Sequence, residues 1–317
     1  MKEFIVSTNE ENKTLYKFLK TVLPKAPDSF IYKMLRKKNI KLNNKKAAGN
    51  EKLNSGDQIC IYLSDDTFSN FSSDTELKAN EYVLAYKNLN GIRIIYEDDD
   101  IAVIFKPPGI LSQKASLEDV SLNEWFIGYL LENNKINEGN LLTFKPSILN
   151  RLDRNTRGLV IASKTLKASQ IVSKCIKERA IKKYYRATVK GVIKEEALID
   201  GYLYKDDKNN KVKIYKTKPK NLETSYINTY YKPINIFDDR TDLTIDLITG
   251  KSHQIRAHLA SIGHPLLGDP KYGDKDFNRK YSKKYQELTA YKIVFPEDID
   301  IDSLKGRSVI LNGYMEK

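Results

Sequence analysis

The chain has 317 residues, 40% of them hydrophobic, which is enough for a sizeable core and predicts about two domains. Lys and Arg number 54 against 41 acidic residues, a formal charge of +13 that suits a protein built to meet phosphate on nucleic acid or on an anionic membrane. No apolar run has the length of a transmembrane helix, and the opening Met1-Lys2-Glu3-Phe4-Ile5-Val6 turns polar too soon for a signal peptide, so the expectation is no membrane and a cytoplasmic location.

The first sixty-odd residues read as a domain of their own, 1–64. Leu15, Phe18, Leu19 and Val22 are spaced i, i+3, i+4, i+7, which predicts a helix that Pro24 and Pro27 end. Asp28 is expected to cap a second helix with Phe30, Ile31, Met34 and Leu35 inward and Lys33, Arg36, Lys37 and Lys38 outward. An alternating strand at Ile40–Asn43, a basic turn Asn44-Lys45-Lys46 and a second strand at Ile59–Leu63 complete the segment. It holds 13 Lys and Arg against 6 Asp and Glu, and a charge run of that kind is usually a solvated face. In this order, however, two short helices, a basic second helix and a hairpin-like tail resemble the alpha-L RNA-binding motif of a small-subunit ribosomal protein, tyrosyl-tRNA synthetases and some RNA-modifying enzymes. The resemblance implies that the second helix and the strand after it, with Lys45 and Lys46, lie on RNA backbone through charge and shape.

Residues 65–85 change character. Asp65, Asp66, Asp74, Glu76 and Glu81 outweigh Lys78 with little periodicity, which predicts a mobile acidic linker. A second domain, 86–317, is expected to be mostly short strands with a few helices. Strands are predicted at Ile92–Tyr96 and Ile101–Phe105, the second ended by Lys106-Pro107-Pro108-Gly109. Ser121 should cap a helix with Leu122, Trp125, Phe126, Tyr129 and Leu130 on one face, and another helix is predicted from about Thr165 with Ala168, Ile171, Val172 and Cys175 inward. Strands follow at Tyr184–Val189 and Leu243–Leu247, then a helix capped by Ser252 and running through Ala260. The fold class expected is α+β with a largely antiparallel sheet flanked by helices.

Within this domain Asn150-Arg151-Leu152-Asp153-Arg154 places a carboxylate between two arginines in a turn that opens into an apolar strand. Such an aspartate can cap a turn, or it can be a reactive group at the rim of a sheet. Cys60 and Cys175 stand apart in apolar contexts, as small core residues of a reducing compartment. His253, His258 and His264 fall within twelve positions, but two of them, at i and i+5 of a predicted helix, point to different faces, and no metal is implied. Gly250-Lys251-Ser252 looks like the end of a phosphate-binding loop, but Ile245 stands where its first glycine belongs.

Four separated stretches set side by side are more informative. They are Lys106-Pro107-Pro108-Gly109, the Asp153 stretch, Lys183-Tyr184-Tyr185-Arg186, and Gly250-Lys251-Ser252-His253-Gln254-Ile255-Arg256, the last followed by Gly268-Asp269 and Tyr272-Gly273. In that order and spacing they resemble the signature blocks of the RluA-type RNA pseudouridine synthases. The resemblance implies an isomerase that turns uridine into pseudouridine with no cofactor, on ribosomal RNA of the large subunit, with a monomer as the default. It makes Asp153 the catalytic aspartate, Arg256 its bidentate partner and Tyr185 the aromatic residue on the target uracil. Arg151 would brace the space left by the flipped nucleotide, and Lys106 and Lys183 would be phosphate or structural contacts. Two departures from the family's pattern stand near the site: Asn150 replaces a histidine and Arg157 a Ser or Thr. Arg157 would touch RNA or act on Asp153. A tRNA-directed synthase and a non-catalytic RNA-binding assembly factor are the alternatives.

Overall fold

The fold is that of a computed structural model, which describes residues 1–7, 9–72, 75–206, 209 and 211–313, and of residues 75–78 the backbone. It divides into two units, one of residues 1–90, 123–147 and 163–169, the other of residues 91–122, 148–162 and 170–317.

The first unit begins with a strand, β1 (Lys2–Ile5), and two short helices, α1 (Leu15–Val22) and α2 (Asp28–Arg36). Thr14 caps α1 by accepting the Lys17 N–H, and Leu15, Phe18, Leu19 and Val22 are all buried, as the spacing predicts. The start of α2 differs from expectation. Pro27, in extended backbone, takes the cap position with no side-chain oxygen to offer, while Asp28 is the first helical residue and pairs with Lys20 at 3.2 Å. A small antiparallel sheet follows from β2 (Ile40–Leu42), β3 (Lys45–Lys46) and β4 (Gln58–Ile61), in the order β1-β4-β2-β3. Asn43 and Asn44, at φ of 49° and 62°, make the turn between β2 and β3, so Lys45 and Lys46 lie in the strand. Two asparagines with positive φ match the twist of a tight hairpin.

The segment expected to be a linker is largely helical. Ser64 caps α3 (Asp65–Phe71) by accepting the Thr67 N–H, and α4 (Thr75–Asn88) comes next, with Ser73 and Asp74 outside the described residues. Of the acidic residues that look like a solvated tether, Asp65 and Asp66 sit in the first turn of α3, where they suit the positive end of the helix. Ala79, Tyr82 and Ala85 form a narrow buried stripe on α4. Gly128 of α5 (Leu122–Glu132) meets α4 so closely that a Cβ there would stand 2.0 Å from the Tyr82 carbonyl oxygen. Phe68 of α3 and Leu142 of α6 (Glu138–Thr143) join the core formed by α1, α2 and the sheet.

The second unit is built on a long sheet. Its strands are β5 (Arg93–Glu97), β6 (Ile101–Lys106), β7 (Ser147–Ile148), β8 (Arg157–Ser163), β9 (Lys182–Lys190), β10 (Ala197–Asp206), β11 (Lys211–Tyr215), β12 (Thr224–Ile236), β13 (Arg240–Asp246), β14 (Leu288–Val294) and β15 (Ser308–Ile310). The order is β11-β10-β12-β13-β9-β14-β8-β6-β5, with β15 added to β14 and β7 to β8. From β11 to β14 every neighbouring pair is antiparallel, and β14 and β8 run parallel. Helices α7 (Leu166–Lys177), α8 (Gln254–Ser261) and α9 (Lys275–Lys280) complete the order. This is the expected α+β architecture with a mostly antiparallel sheet. Cys60 is buried and Cys175 half-buried.

Strands β8 and β14 meet over only two residue pairs, Arg157–Thr289 and Ala290–Gly158. Gly158 has φ of 131°, and a Cβ there would lie 2.3 Å from the Ala290 carbonyl oxygen, so only glycine permits the approach. Beyond it β14 leaves β8 and pairs with β15 through Lys292–Val294.

Candidate active site

The Asp153 turn lies between β7 and β8, and four side chains, Asn150, Ser112, Gln286 and Lys106, fix it from behind. Buried Asn150 accepts the Ile161 N–H at 2.7 Å through its side-chain oxygen. The Ser112 hydroxyl donates to the Leu152 carbonyl at 2.7 Å and accepts the Leu152 N–H at 3.0 Å. Gln286 donates to the Thr156 hydroxyl at 2.9 Å, and the Thr156 N–H returns to the Asp153 carbonyl at 3.0 Å. Lys106, fully buried at the end of β6, gives its ammonium to three carbonyls: Ile110 at 2.8 Å, Arg154 at 3.0 Å and Pro107 at 3.1 Å. Its pKa is pushed down to about 7 by burial, against the pull of the Asp153 carboxylate. These side chains hold the turn mostly through its backbone, and the Asp153 carboxylate keeps 26% of its side chain exposed.

Arg256, on α8, reaches that carboxylate. Its Nη1 donates to Asp153 Oδ2 at 2.7 Å, while Nε and Nη2 grip both oxygens of Asp269 at 2.7 and 3.0 Å. The bidentate partner is thus Asp269, and Asp153 receives one N–H, which corrects the expectation of a two-pronged Asp153–Arg256 pair. Asp269 is fully buried and also accepts the N–H groups of Lys271 and Tyr272 at 2.8 and 3.0 Å. Burial alone would raise its pKa, but Arg256 and those N–H groups hold it below the carboxylate range. Burial would likewise lower Arg256, and the two aspartates more than offset it, so the guanidinium stays charged. Asp269 anchors the fork, and the third N–H is aimed at Asp153.

Tyr185 is buried on β9, paired with Ile245 on one side and Ala290 on the other. Burial, reinforced by Asp153, raises its phenol pKa, so its ring is a neutral flat surface near that carboxylate. The Arg256 guanidinium lies 5.2 Å from the centre of the Tyr272 ring, whose hydroxyl accepts the Val212 N–H at 2.8 Å and meets His253 Nδ1 at 2.9 Å. His253 itself occupies the cap of α8 with φ of 55° and no side-chain cap bond, in place of the expected Ser252. The next residue, Gln254, stitches the helix start to β12, donating to the Asn228 carbonyl at 2.9 Å and Thr229 Oγ1 at 3.0 Å.

A family model for RNA pseudouridylate synthases matches residues 100–261, about half of the chain. The chain belongs to the RNA pseudouridylate synthase family. An uncharacterized RNA pseudouridine synthase of Mycoplasma genitalium is 33% identical over 306 residues, 93% of this chain and 89% of that protein. Ribosomal large subunit pseudouridine synthase C of Rickettsia typhi is 30% identical over 289 residues, 90% of this chain and 89% of the relative. Among solved structures, human RNA pseudouridylate synthase domain containing 4 matches with a TM-score of 0.54 at 18% identity, covering 74% of this chain and 92% of that one, a likeness of fold. As a pseudouridine synthase the chain is an isomerase acting on RNA uridine.

Within this pseudouridine synthase the sequence-predicted residues divide. Asp153, Arg256 and Tyr185 come together, and Asp269, which the sequence reading quoted without a role, joins them. Arg151 and Arg154 are exposed on the same turn, Arg154 donating to the Gly109 carbonyl at 3.0 Å. Arg157 lies elsewhere: it bonds Glu287 and Thr289, each at 2.8 Å, and makes no contact with Asp153. Lys183 is half-buried on β9, and burial lowers its pKa. His258 and His264 bond to Thr229 and to the Lys190 carbonyl respectively. In the first unit Lys33, Arg36, Lys37, Lys38, Lys45 and Lys46 are all exposed. The role of Asp269 was hidden because nothing local in Gly268-Asp269-Pro270 shows that a buried guanidinium will meet it.

Proposed function

We propose that this enzyme converts uridines of large-subunit ribosomal RNA to pseudouridine, in the cytoplasm, with Asp153 as the catalytic group acting on a nucleotide flipped out of its helix. The observation that supports it is the Asp153–Arg256–Asp269 chain: an accessible carboxylate hydrogen-bonded by an arginine whose position is fixed from behind. The isomerisation breaks the bond between the ribose C1′ and uracil N1, turns the base, joins C1′ to C5, and moves one proton from C5 to N1. Everything stays within one nucleotide, so the step balances without oxidant or co-substrate. What it demands is a charged carboxylate beside C1′ or the ring, and a surface that keeps the freed base from escaping. Tyr185 offers that surface as a buried ring next to the carboxylate. A base in a duplex must leave the stack to reach such a pocket, and exposed Arg151 is placed on the Asp153 turn to meet the strand that it leaves. Lys33, Arg36, Lys37, Lys38, Lys45 and Lys46 would hold RNA phosphates as the alpha-L likeness implies, in an N-terminal domain of residues 1–64. Ribosomal RNA is favoured over tRNA by that likeness and by relatives named for the large ribosomal subunit.

The test is Asp153→Asn, which keeps the hydrogen bond to Arg256 and removes the charge. Pseudouridine formation should fall by at least about 10³-fold, with RNA affinity within about twofold of the parent. Sustained product formation by this variant would end the assignment. Mapping pseudouridines in total RNA of a deletion strain reads the target, and losses confined to tRNA would replace the ribosomal reading.

A further inference from the structure

Where β14 leaves β8 to pair with β15, the sheet splits, and a groove of about 740 Å³ opens between β15 and the β5 edge. Its lining includes Arg93, Tyr96, Phe105, Arg157, Thr289 and Arg307 and, among the described residues, no carboxylate. Side chains alternate along a strand, so the groove can be placed relative to the active site. Phe105 lines it while its neighbour Lys106 turns the other way, to the Asp153 turn. Thr289 lines it and pairs with Arg186, whereas the next pair, Ala290 and Tyr185, belongs to the catalytic side. At β6 and β14 the groove thus lies on the face opposite Lys106 and Tyr185, and the catalytic reading makes no use of it.

Two of its cations lie over aromatic rings. The Arg93 guanidinium lies 5.0 Å from the centre of the Phe105 ring, and that of Arg307 lies 4.6 Å from the centre of Tyr96. Both arginines are exposed, and neither has an ion-pair partner among the described residues. Arg307 Nε is tied to the Ser303 carbonyl at 2.6 Å. Glu287 is occupied by Arg157 and Lys283, and Asp98 by the Tyr96 hydroxyl and Ser303, while the Glu297 carboxylate stands beside Gly306 with no ion pair to Arg307. A guanidinium over a ring has lost part of its conformational freedom, and it keeps N–H donors at its edge for phosphate and a second planar face for a base. Cationic groups interleaved with aromatic rings suit an unpaired nucleic-acid strand better than a duplex, whose bases are not available for stacking.

We infer that this groove binds a single-stranded stretch of the RNA substrate, with phosphates on Arg93 and Arg307, outside the nucleotides that enter the active site. The inference rests on RNA being the substrate, as proposed above. Its test uses the full chain and the double substitution Arg93→Glu with Arg307→Glu, with Arg93→Gln and Arg307→Gln as the milder pair should charge reversal disturb folding, which thermal unfolding reads. Two ribosomal RNA fragments are compared, one a minimal hairpin with the target uridine and one carrying an added unpaired tail of twenty or so nucleotides. The parent should bind the tailed RNA more tightly. The variant should lose that gain, roughly tenfold, and its slope of log affinity against log salt on the tailed RNA should fall by about 1.4, two contacts at about 0.7 each. Turnover on saturating hairpin should be unchanged. A tail effect that survives in both variants overturns the inference, as does an equal gain from a duplex extension. If the ribosomal assignment itself is wrong, the parent leaves the hairpin unmodified, while the tail and salt effects are still readable as binding.

Discussion

The charges around Asp153 and those on α2 differ in nearly every physical respect. Arg256 is almost fully buried, spans two carboxylates with three N–H groups, and sits on a helix pinned to the sheet by Gln254. Lys33, Arg36, Lys37 and Lys38 are exposed at the end of a short helix. A buried guanidinium must have its geometry fixed to be tolerated at all, so its position carries chemical information. Exposed cations are interchangeable and work by number, giving affinity that salt can screen. The chain thus holds cations in two ways, one buried and fixed in position, the others exposed.

The sharpest way to break this contrast is to replace arginine by lysine at both places. Arg256→Lys keeps a positive charge but cannot grip Asp269 with two N–H groups and reach Asp153 with a third. Turnover should fall by about 10²-fold or more, because Asp153 loses its fixed partner. Unfolding in urea should show a loss on the order of 2 kcal/mol from the charged hydrogen bonds removed. Arg36→Lys should change neither. Equal tolerance at both positions would erase the distinction.

How far these differences could be read beforehand follows from what each residue depends on. The helix at Leu15–Val22, the hairpin of β5 and β6 and the sheet class rest on local periodicity, and they were legible. The blocks around Lys106, Asp153, Tyr185 and Arg256 were legible because four of them occur in order. Asp269 was not, since its meaning depends on a guanidinium thirteen residues away arriving on another element. Arg157 was opaque for the same reason, its partner Glu287 lying 130 residues on. The long strands β10 and β12 escaped notice because exposed positions carry apolar residues, Leu198 in β10 and Tyr226, Ile234 and Ile236 in β12, which blur a period-two pattern. The helices of residues 65–88 were read as a tether because, among its described side chains, α4 buries a narrow stripe of small and aromatic residues.

Lys106 tests whether the buried side of the comparison extends beyond Arg256. Its pKa falls from an ordinary 10.5 to about 7 on folding, so between those values the unfolded chain binds more protons than the folded one. Its contribution to stability is full above about 10.5 and is lost as pH falls toward about 7. Urea unfolding at pH 7, 8 and 9 should therefore show the parent gaining on Lys106→Met, by up to about 1.4 kcal/mol per pH unit. A constant difference would mean that Lys106 keeps its proton on folding. On the exposed side, Arg36→Glu with Lys37→Glu should weaken RNA binding roughly tenfold and lower the salt slope by about 1.4 to 1.8, with turnover at saturation unchanged. A loss of turnover there would move α2 from the diffuse class into the positioned one.

The smallest expected effect concerns Asn150, where the family pattern has histidine. Its side-chain oxygen accepts the Ile161 N–H at 2.7 Å in a buried site, and the Leu149 N–H bonds the Ile161 carbonyl at 2.7 Å beside it. The residue closes the Asp153 turn onto β8 and needs only an acceptor at that point. An imidazole nitrogen can accept the same N–H, so Asn150→His should change stability by well under about 1 kcal/mol and leave turnover near the parent value. Asn150→Ala strands a buried donor and should cost about 1 kcal/mol or more, with turnover falling as the turn loosens. Histidine and asparagine are then two solutions to one backbone requirement. A marked gain of activity in Asn150→His would instead assign that position a part in the chemistry, and the boundary between positioned and supporting groups would have to be redrawn around it.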